Sequence, residues 1–212
     1  MSPERATGIT EPSLSVSGLE CRRGERLVFS NLELDLEAGE VLQIAGPNGS
    51  GKTTLLRAIA GLTPPTAGEV RWCGRRIDEG RVEFLRDLAY LGHADGVKAE
   101  LTAWEDLEVA EALRGGGLRI PDALDRFGLT ELRDTLGRYL SAGQRRRLAL
   151  CRILTSGARL WLLDEPFTAL DEAAITTVGR LLEQHAERGG LVIVTSHHPL
   201  PIDHARVFRL AA

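Results

Sequence analysis

The 212-residue chain holds only three cysteines, one methionine and 5% aromatic residues, and it has no long apolar run. Cys21, Cys73 and Cys151 are widely separated, odd in number and outside any C-x-x-C spacing. That excludes a disulfide framework or a zinc ribbon and leaves core or incidental thiols in a reduced compartment. The apolar stretches Leu160-Trp-Leu-Leu163 and Leu191-Val-Ile-Val194 are strand-sized, far short of the roughly 20 residues a bilayer span needs. A role at a membrane therefore requires a partner that supplies the spans. A basic excess is also missing: the formal charge is -4, which argues against a broad nucleic-acid footprint. Internal repeats and low-complexity tracts are absent, so the length suits one α/β domain with a small insertion. Residues 1–12 carry charges of both signs without an apolar core and are expected to form a flexible tail that is not an export signal.

What is present begins with Gly46-Pro-Asn-Gly-Ser-Gly-Lys52-Thr53, directly after the apolar run Val41-Leu-Gln-Ile-Ala45. The pattern G-x-x-x-x-G-K-[ST] cradles phosphates: glycines turn backbone N–H groups inward, the lysine reaches the β and γ oxygens, and the hydroxyl faces Mg²⁺. Side chains at Gly49 or Gly51 are expected to block that approach. The stretch from Thr54 reads as a helix whose positive end faces the same anion. Gly46, Pro47, Asn48, Gly49, Ser50, Gly51, Lys52, Thr53 and Thr54 are thus the candidate contacts to a nucleoside triphosphate with Mg²⁺.

Residues 14–19 and 27–36 alternate apolar and polar side chains and read as antiparallel strands with one wet face. Short strands are expected over 69–72 and 87–91. Between 101 and 156 the pattern turns helical, with helices expected over 103–114, 121–127, 130–136 and 142–154, separated by Gly or Pro. Runs 160–163 and 191–195 are apolar throughout, the mark of strands buried on both faces, with a helix over 171–187 between them. The implied architecture is a parallel α/β core carrying a helical arm.

Leu160-Trp-Leu-Leu-Asp164-Glu165 delivers two carboxylates at the end of a buried strand, where ligands sit in open α/β sheets. Asp164 suits Mg²⁺ held through water, and Glu165 suits proton acceptance from a water attacking the γ-phosphate. The competing reading is an acidic pair opening a helix. Leu140-Ser141-Ala-Gly143-Gln144 opens the next Arg- and Leu-rich helix with Ser141 at its N-cap, and Arg145-Arg146-Arg147 reads as a solvated helix face.

These three motifs together resemble the nucleotide-binding subunits of ABC transporters, whose pentapeptide is usually L-S-G-G-Q. The resemblance covers nearly the whole chain. It implies a P-loop NTPase ABC ATPase fold over 13–212, with a parallel core sheet, an antiparallel β subdomain and a helical subdomain at 101–156. It further implies an Mg²⁺-ATPase working as a head-to-tail homodimer with two ATP at the interface. Lys52, Thr53 and their loop would hold one ATP. Ser141, Gly143 and Gln144 would reach the nucleotide of the opposite subunit. Asp171, in Thr168-Ala-Leu-Asp171, matches the loop crossing the dimer interface, a role compatible with capping the next helix.

His197 matches the family's switch histidine at the γ-phosphate, with His198 as its neighbouring competitor. His93, in Tyr90-Leu-Gly-His93, replaces a glutamine that touches Mg²⁺ and senses the membrane partner. Because Mg²⁺ prefers oxygen, His93 is expected to be a coupling residue close to the nucleotide. Arg23 stands where many relatives stack an aromatic ring on adenine; it either stacks by its guanidinium plane or is an exposed surface residue.

The combination of Cys21-Arg-Arg-Gly-Glu-Arg-Leu-Val-Phe-Ser, Tyr90-Leu-Gly-His93 and Leu140-Ser-Ala-Gly-Gln-Arg-Arg-Arg147 looks like the CcmA family, the haem-exporter ATPases of cytochrome c maturation. That resemblance implies integral permease partners, a peripheral place on the cytoplasmic face of the bacterial inner membrane, and ATP spent on releasing a haem-loaded chaperone. Direct haem binding is not expected, because no C-x-x-C-H motif is present. The competing readings are another small ABC exporter and a soluble ABC ATPase that remodels nucleic-acid or ribosomal complexes. The latter usually joins two cassettes, whereas this acidic chain has one set of motifs.

Overall fold

The structure, a computed structural model, describes residues 12–197 and 199–210. The residues before Pro12, most of the expected tail, lie outside that range, as does His198. Two sheets share the work. Strands β1 (Ser13–Arg23) and β2 (Arg26–Glu37) form an antiparallel hairpin. Strand β4 (Ala67–Trp72) pairs with the free edge of β1, and β5 (Arg75–Arg76) extends it. Leu32, Leu34 and Leu36 are buried while Glu33, Asp35 and Glu37 between them are exposed. This period of two gives the sheet one dry and one wet face.

The second sheet has the order β6 (Leu88–Leu91), β7 (Leu160–Asp164), β8 (Leu191–Thr195), β3 (Val41–Ala45), β9 (Arg206–Arg209), parallel throughout. Its central strands are dry on both sides. Leu160, Leu162, Leu191 and Ile193 join a core with the antiparallel sheet and α1 (Lys52–Ile59). Trp161, Leu163, Val192 and Val194 face the opposite core, shared with α3 (Ala103–Arg114), α4 (Ile120–Arg126), α5 (Ala142–Thr155) and α6 (Glu172–Glu187). Two apolar faces are what make these strands read as unbroken apolar runs.

Helix starts follow local chemistry. Thr102 with Glu105, and Ser141 with Gln144, form reciprocal capping boxes at α3 and α5, and the Asp171 carboxylate accepts from Ala174 N at α6. All three cysteines are free, as expected; Cys151 donates to Ala123 O, and burial pushes its thiol up.

Several expectations need correction. The helix expected over 130–136 is a single 3₁₀ turn, Thr130–Leu132. The carbonyls of Arg133 and Thr135 accept instead from Trp104 N and Ala103 N, satisfying the first turn of α3 rather than their own helix. Asp87 belongs to helix α2 (Arg81–Asp87), which the sequence reading did not anticipate and which buries Phe84. Strand β9 was also not anticipated; it is a charged edge strand.

Candidate active site

Strand β8 lies between β7 and β3, and Thr195 is in register with both Asp164 and Ile44. The C-terminal ends of these strands are therefore level, and the segments leaving them emerge at one edge of the sheet, where ligands of open α/β sheets bind.

From β3 the chain enters the glycine loop. Gly49 has φ +81° and Gly51 φ +100°, conformations that side chains resist. A Cβ on Gly51 would lie 2.4 Å from Val28 Cγ1, and one on Gly46 would lie 2.6 Å from Leu210 O and 2.8 Å from Ser50 Oγ, whereas the space at Gly49 is open. Gly49 is thus needed for its backbone and the other two also for room. Lys52 is buried, and its ammonium donates to Gly46 O at 2.8 Å and Pro47 O at 3.1 Å. It closes the loop over its own carbonyls, with no negative side chain opposite it in these bonds. Ser50 Oγ is buried without a partner, and no side chain caps α1. The amides at this helix start thus have no side-chain acceptor, which suits them to an anion. Pro47, Asn48 and Thr53 are exposed and Thr54 is half-buried.

From β7 come Asp164 and Glu165. Asp164 is 1% exposed; its Oδ1 accepts from Thr195 Oγ1 at 2.7 Å, while Oδ2 is buried with no partner. An orphaned carboxylate oxygen is costly to bury. With the Thr53 hydroxyl it is the hard-oxygen chemistry that suits Mg²⁺. Glu165 has φ +50°, rare outside glycine. Its amide donates to Thr195 O and Oγ1 at 3.2 and 3.0 Å. Its Oε1 lies 3.1 Å from Nε2 of His197, which leaves β8 half-exposed. The structure therefore brings together the phosphate loop, both carboxylates and His197. An acidic pair merely opening a helix does not describe this, since Asp164 ends β7 and α6 starts after Asp171.

Ser141, Gly143 and Gln144 form the start of α5, and Asp171 caps the start of α6. Ser141 is exposed, and its Oγ accepts from Gln144 N while Gln144 Oε1 accepts from Ser141 N. A Cβ on Gly143 would stand 2.7 Å from Ala169 O, so α5 packs its start against the loop that leads to Asp171. Among the described residues, no side-chain hydrogen bond joins Ser141 to the phosphate loop. His93 is exposed and lines a cavity of about 630 Å³ with Thr53, Arg57 and Arg152. Arg23 is exposed at the tip of the β1–β2 hairpin, opposite Arg26.

The Arg145-Arg146-Arg147 run is not a solvated face. Arg145 and Arg147 are half-buried and donate to Leu140 O and Phe127 O. Arg146 is 3% exposed, and its guanidinium donates to the carbonyls of Asp164 and Glu165 at 2.7 and 2.6 Å. Sequence reasoning missed it because three consecutive arginines on a helix look like surface.

The ABC transporter family profile matches residues 29–168. The chain is 54% identical over 202 residues to the cytochrome c biogenesis ATP-binding export protein CcmA of Nitrosococcus oceani, across 95% of this chain and 94% of that one. An ABC transporter ATP-binding protein from Pyrococcus furiosus matches with a TM-score of 0.81 at 26% identity, covering 93% of this chain and 97% of that one. The bacterial ABC transporter cassette MJ0796, whose structure is described as dimeric, matches with a TM-score of 0.79 at 26% identity, covering 93% and 94%.

Proposed function

Because the chain belongs to the ABC transporter family, in the branch of the CcmA ATP-binding export proteins, we propose that it is the ATP-hydrolysing subunit of the exporter used in cytochrome c maturation. In this reading it energises release of a haem-loaded chaperone. The observation that carries it is the convergence of the Lys52 loop, the half-satisfied Asp164, Glu165 and His197 at one sheet edge.

In this reading the whole of 13–212 is one ATPase domain and 101–156 its helical subdomain. The ATP triphosphate lies in the loop 46–54, on the amides at the start of α1. Lys52 exchanges its two carbonyl partners for phosphate oxygens, which a flexible ammonium can do without moving the backbone. Thr53 and Asp164 would hold Mg²⁺, which when bound neutralises phosphate charge and orients the phosphates. Glu165 accepts the proton of the attacking water, and His197, beside it, holds that water and senses the γ-phosphate. Ser141, Gly143 and Gln144 of a second copy close over the same nucleotide, and Asp171 lies at that interface. The dimeric cassette similar to this chain supports the pairing.

No helix among the described residues is long and apolar enough to cross a membrane, so integral permease subunits supply the path. We place the chain peripherally on the cytoplasmic face of the inner membrane, with His93 and its cavity as the coupling region. Arg23 stacks on adenine or faces solvent. Neither haem nor nucleic acid binds the chain itself.

Complementation tests this. In a bacterium lacking its own copy, the wild-type chain is expected to restore covalently haem-loaded c-type cytochromes on a peroxidase-stained gel, and Lys52→Ala is expected not to. Normal cytochrome c in the deletion strain, or restoration by Lys52→Ala, would contradict the proposal.

A further inference from the structure

Arg146 has a finite supply of hydrogens to donate, and the structure uses all of it. A guanidinium carries five N–H donors in a rigid fork. Nη2 donates to Asp164 O at 2.7 Å and Glu165 O at 2.6 Å, Nε to Pro166 O at 3.3 Å, and Nη1 to Gly92 O at 3.0 Å and Asp95 Oδ1 at 3.2 Å. Five acceptors answer five donors, on a side chain that is almost fully buried. Burial lowers its pKa and Asp95 opposes that fall, and a guanidinium keeps its charge inside proteins.

The two shortest of these bonds have a geometric consequence. The Asp164 carbonyl belongs to the peptide plane before Glu165 and the Glu165 carbonyl to the plane after it. The relative orientation of those planes is what φ and ψ of Glu165 describe. One nitrogen that grips both planes therefore fixes the backbone angles of Glu165, at the unusual φ of +50°, and with them the direction of its side chain. The same guanidinium also holds the segment 92–95, next to the exposed His93.

We propose that Arg146 is the positioning residue of the hydrolytic site: it sets the aim of the Glu165 carboxylate and ties that aim to the position of the loop carrying His93. A shift of that loop then reaches Glu165 through one side chain on α5, the helix that begins with Ser141. The inference rests on the reading of Glu165 as proton acceptor.

The test uses the chain purified with its membrane partners. Arg146→Lys keeps the charge but offers three donors from a single point, which cannot span five acceptors. It is expected to lower kcat about tenfold or more, with the KM for ATP and the affinity for a fluorescent ATP analogue changed less than about threefold. In a Glu165→Gln background the same substitution is expected to cost nothing further in kcat, because an absent carboxylate cannot be misaimed. Asp95→Ala, which spares the buried carbonyl contacts, is the milder variant and keeps the question open to measurement if Arg146→Lys does not fold. It is expected to lower kcat about two- to fivefold at unchanged affinity.

Unchanged kcat in the folded variants, or an equal loss of kcat with and without Glu165, would overturn the positioning role. Wild-type turnover in Glu165→Gln alone would instead remove the assignment of Glu165 on which the inference rests.

Discussion

Thr195 Oγ1 donates to Asp164 Oδ1 across 2.7 Å, and the other oxygen of that carboxylate is left buried and unpaired. The threonine thus orients the carboxylate through one oxygen and leaves the other without a protein partner. Its hydroxyl oxygen also accepts from Glu165 N. One buried side chain therefore steadies both acidic residues. Thr195→Val is expected to cost about 1–3 kcal/mol, a thermal midpoint lower by several degrees, and to raise the Mg²⁺ concentration needed for half-maximal ATP binding. Calorimetry and a Mg²⁺ titration of nucleotide binding check both. An unchanged Mg²⁺ requirement would contradict the role given to Asp164.

Lys52→Ala is expected to weaken ATP binding about 10- to 100-fold, the equivalent of one or two charge-assisted hydrogen bonds, while leaving the fold intact. The bonds it loses in the protein itself are to the loop's own carbonyls, and those loop carbonyls can turn to water. Isothermal titration with ATP reads the affinity, and circular dichroism the fold.

Ser141→Ala removes the acceptor for Gln144 N and is expected to destabilise the chain by about 1 kcal/mol. In the Glu165→Gln background it is also expected to weaken ATP-driven pairing of two copies, read by sedimentation velocity. A stability loss without any effect on pairing would leave Ser141 as a helix cap and nothing more.

His185 stacks on Trp161 with ring centroids 3.8 Å apart, and its Nε2 lies 3.2 Å from Arg159 O. Burial pushes its pKa down to about 4, against about 6.5 in an unfolded chain. The unfolded state therefore binds an extra proton between those values. The stability that depends on the neutral ring is complete above pH 6.5 and falls away as pH drops toward 4, by about 2–3 kcal/mol. His185→Phe is expected to flatten that part of a melting-temperature profile between pH 7.5 and 4.5; an unaltered slope would contradict the buried neutral ring.

The phosphate loop was legible because its demands are local: three glycines, a lysine and a hydroxyl within eight positions, between a strand and a helix. The Ser141 cap of α5 and the doubly buried strands were legible for the same reason. Arg146 was not, because four of its five acceptors are main-chain carbonyls of segments remote in sequence, and a carbonyl leaves no trace in residue identity. The non-helical course of 130–136 has the same origin: Arg133 and Thr135 spend their carbonyls on α3. Strand β9 carries arginines and lies at a sheet edge, paired with β3 from near the opposite end of the chain, so alternation alone did not reveal it. The convergence of Asp164, Glu165 and His197 needed the strand order, which places β8 between β7 and β3.

The most direct measurement is ATP turnover and nucleotide occupancy of Glu165→Gln, assembled with its membrane partners. The account predicts intact ATP bound at the wild-type level and hydrolysis slowed by about 100-fold or more, as expected for loss of a general base. Hydrolysis at the wild-type rate with ATP bound would contradict it.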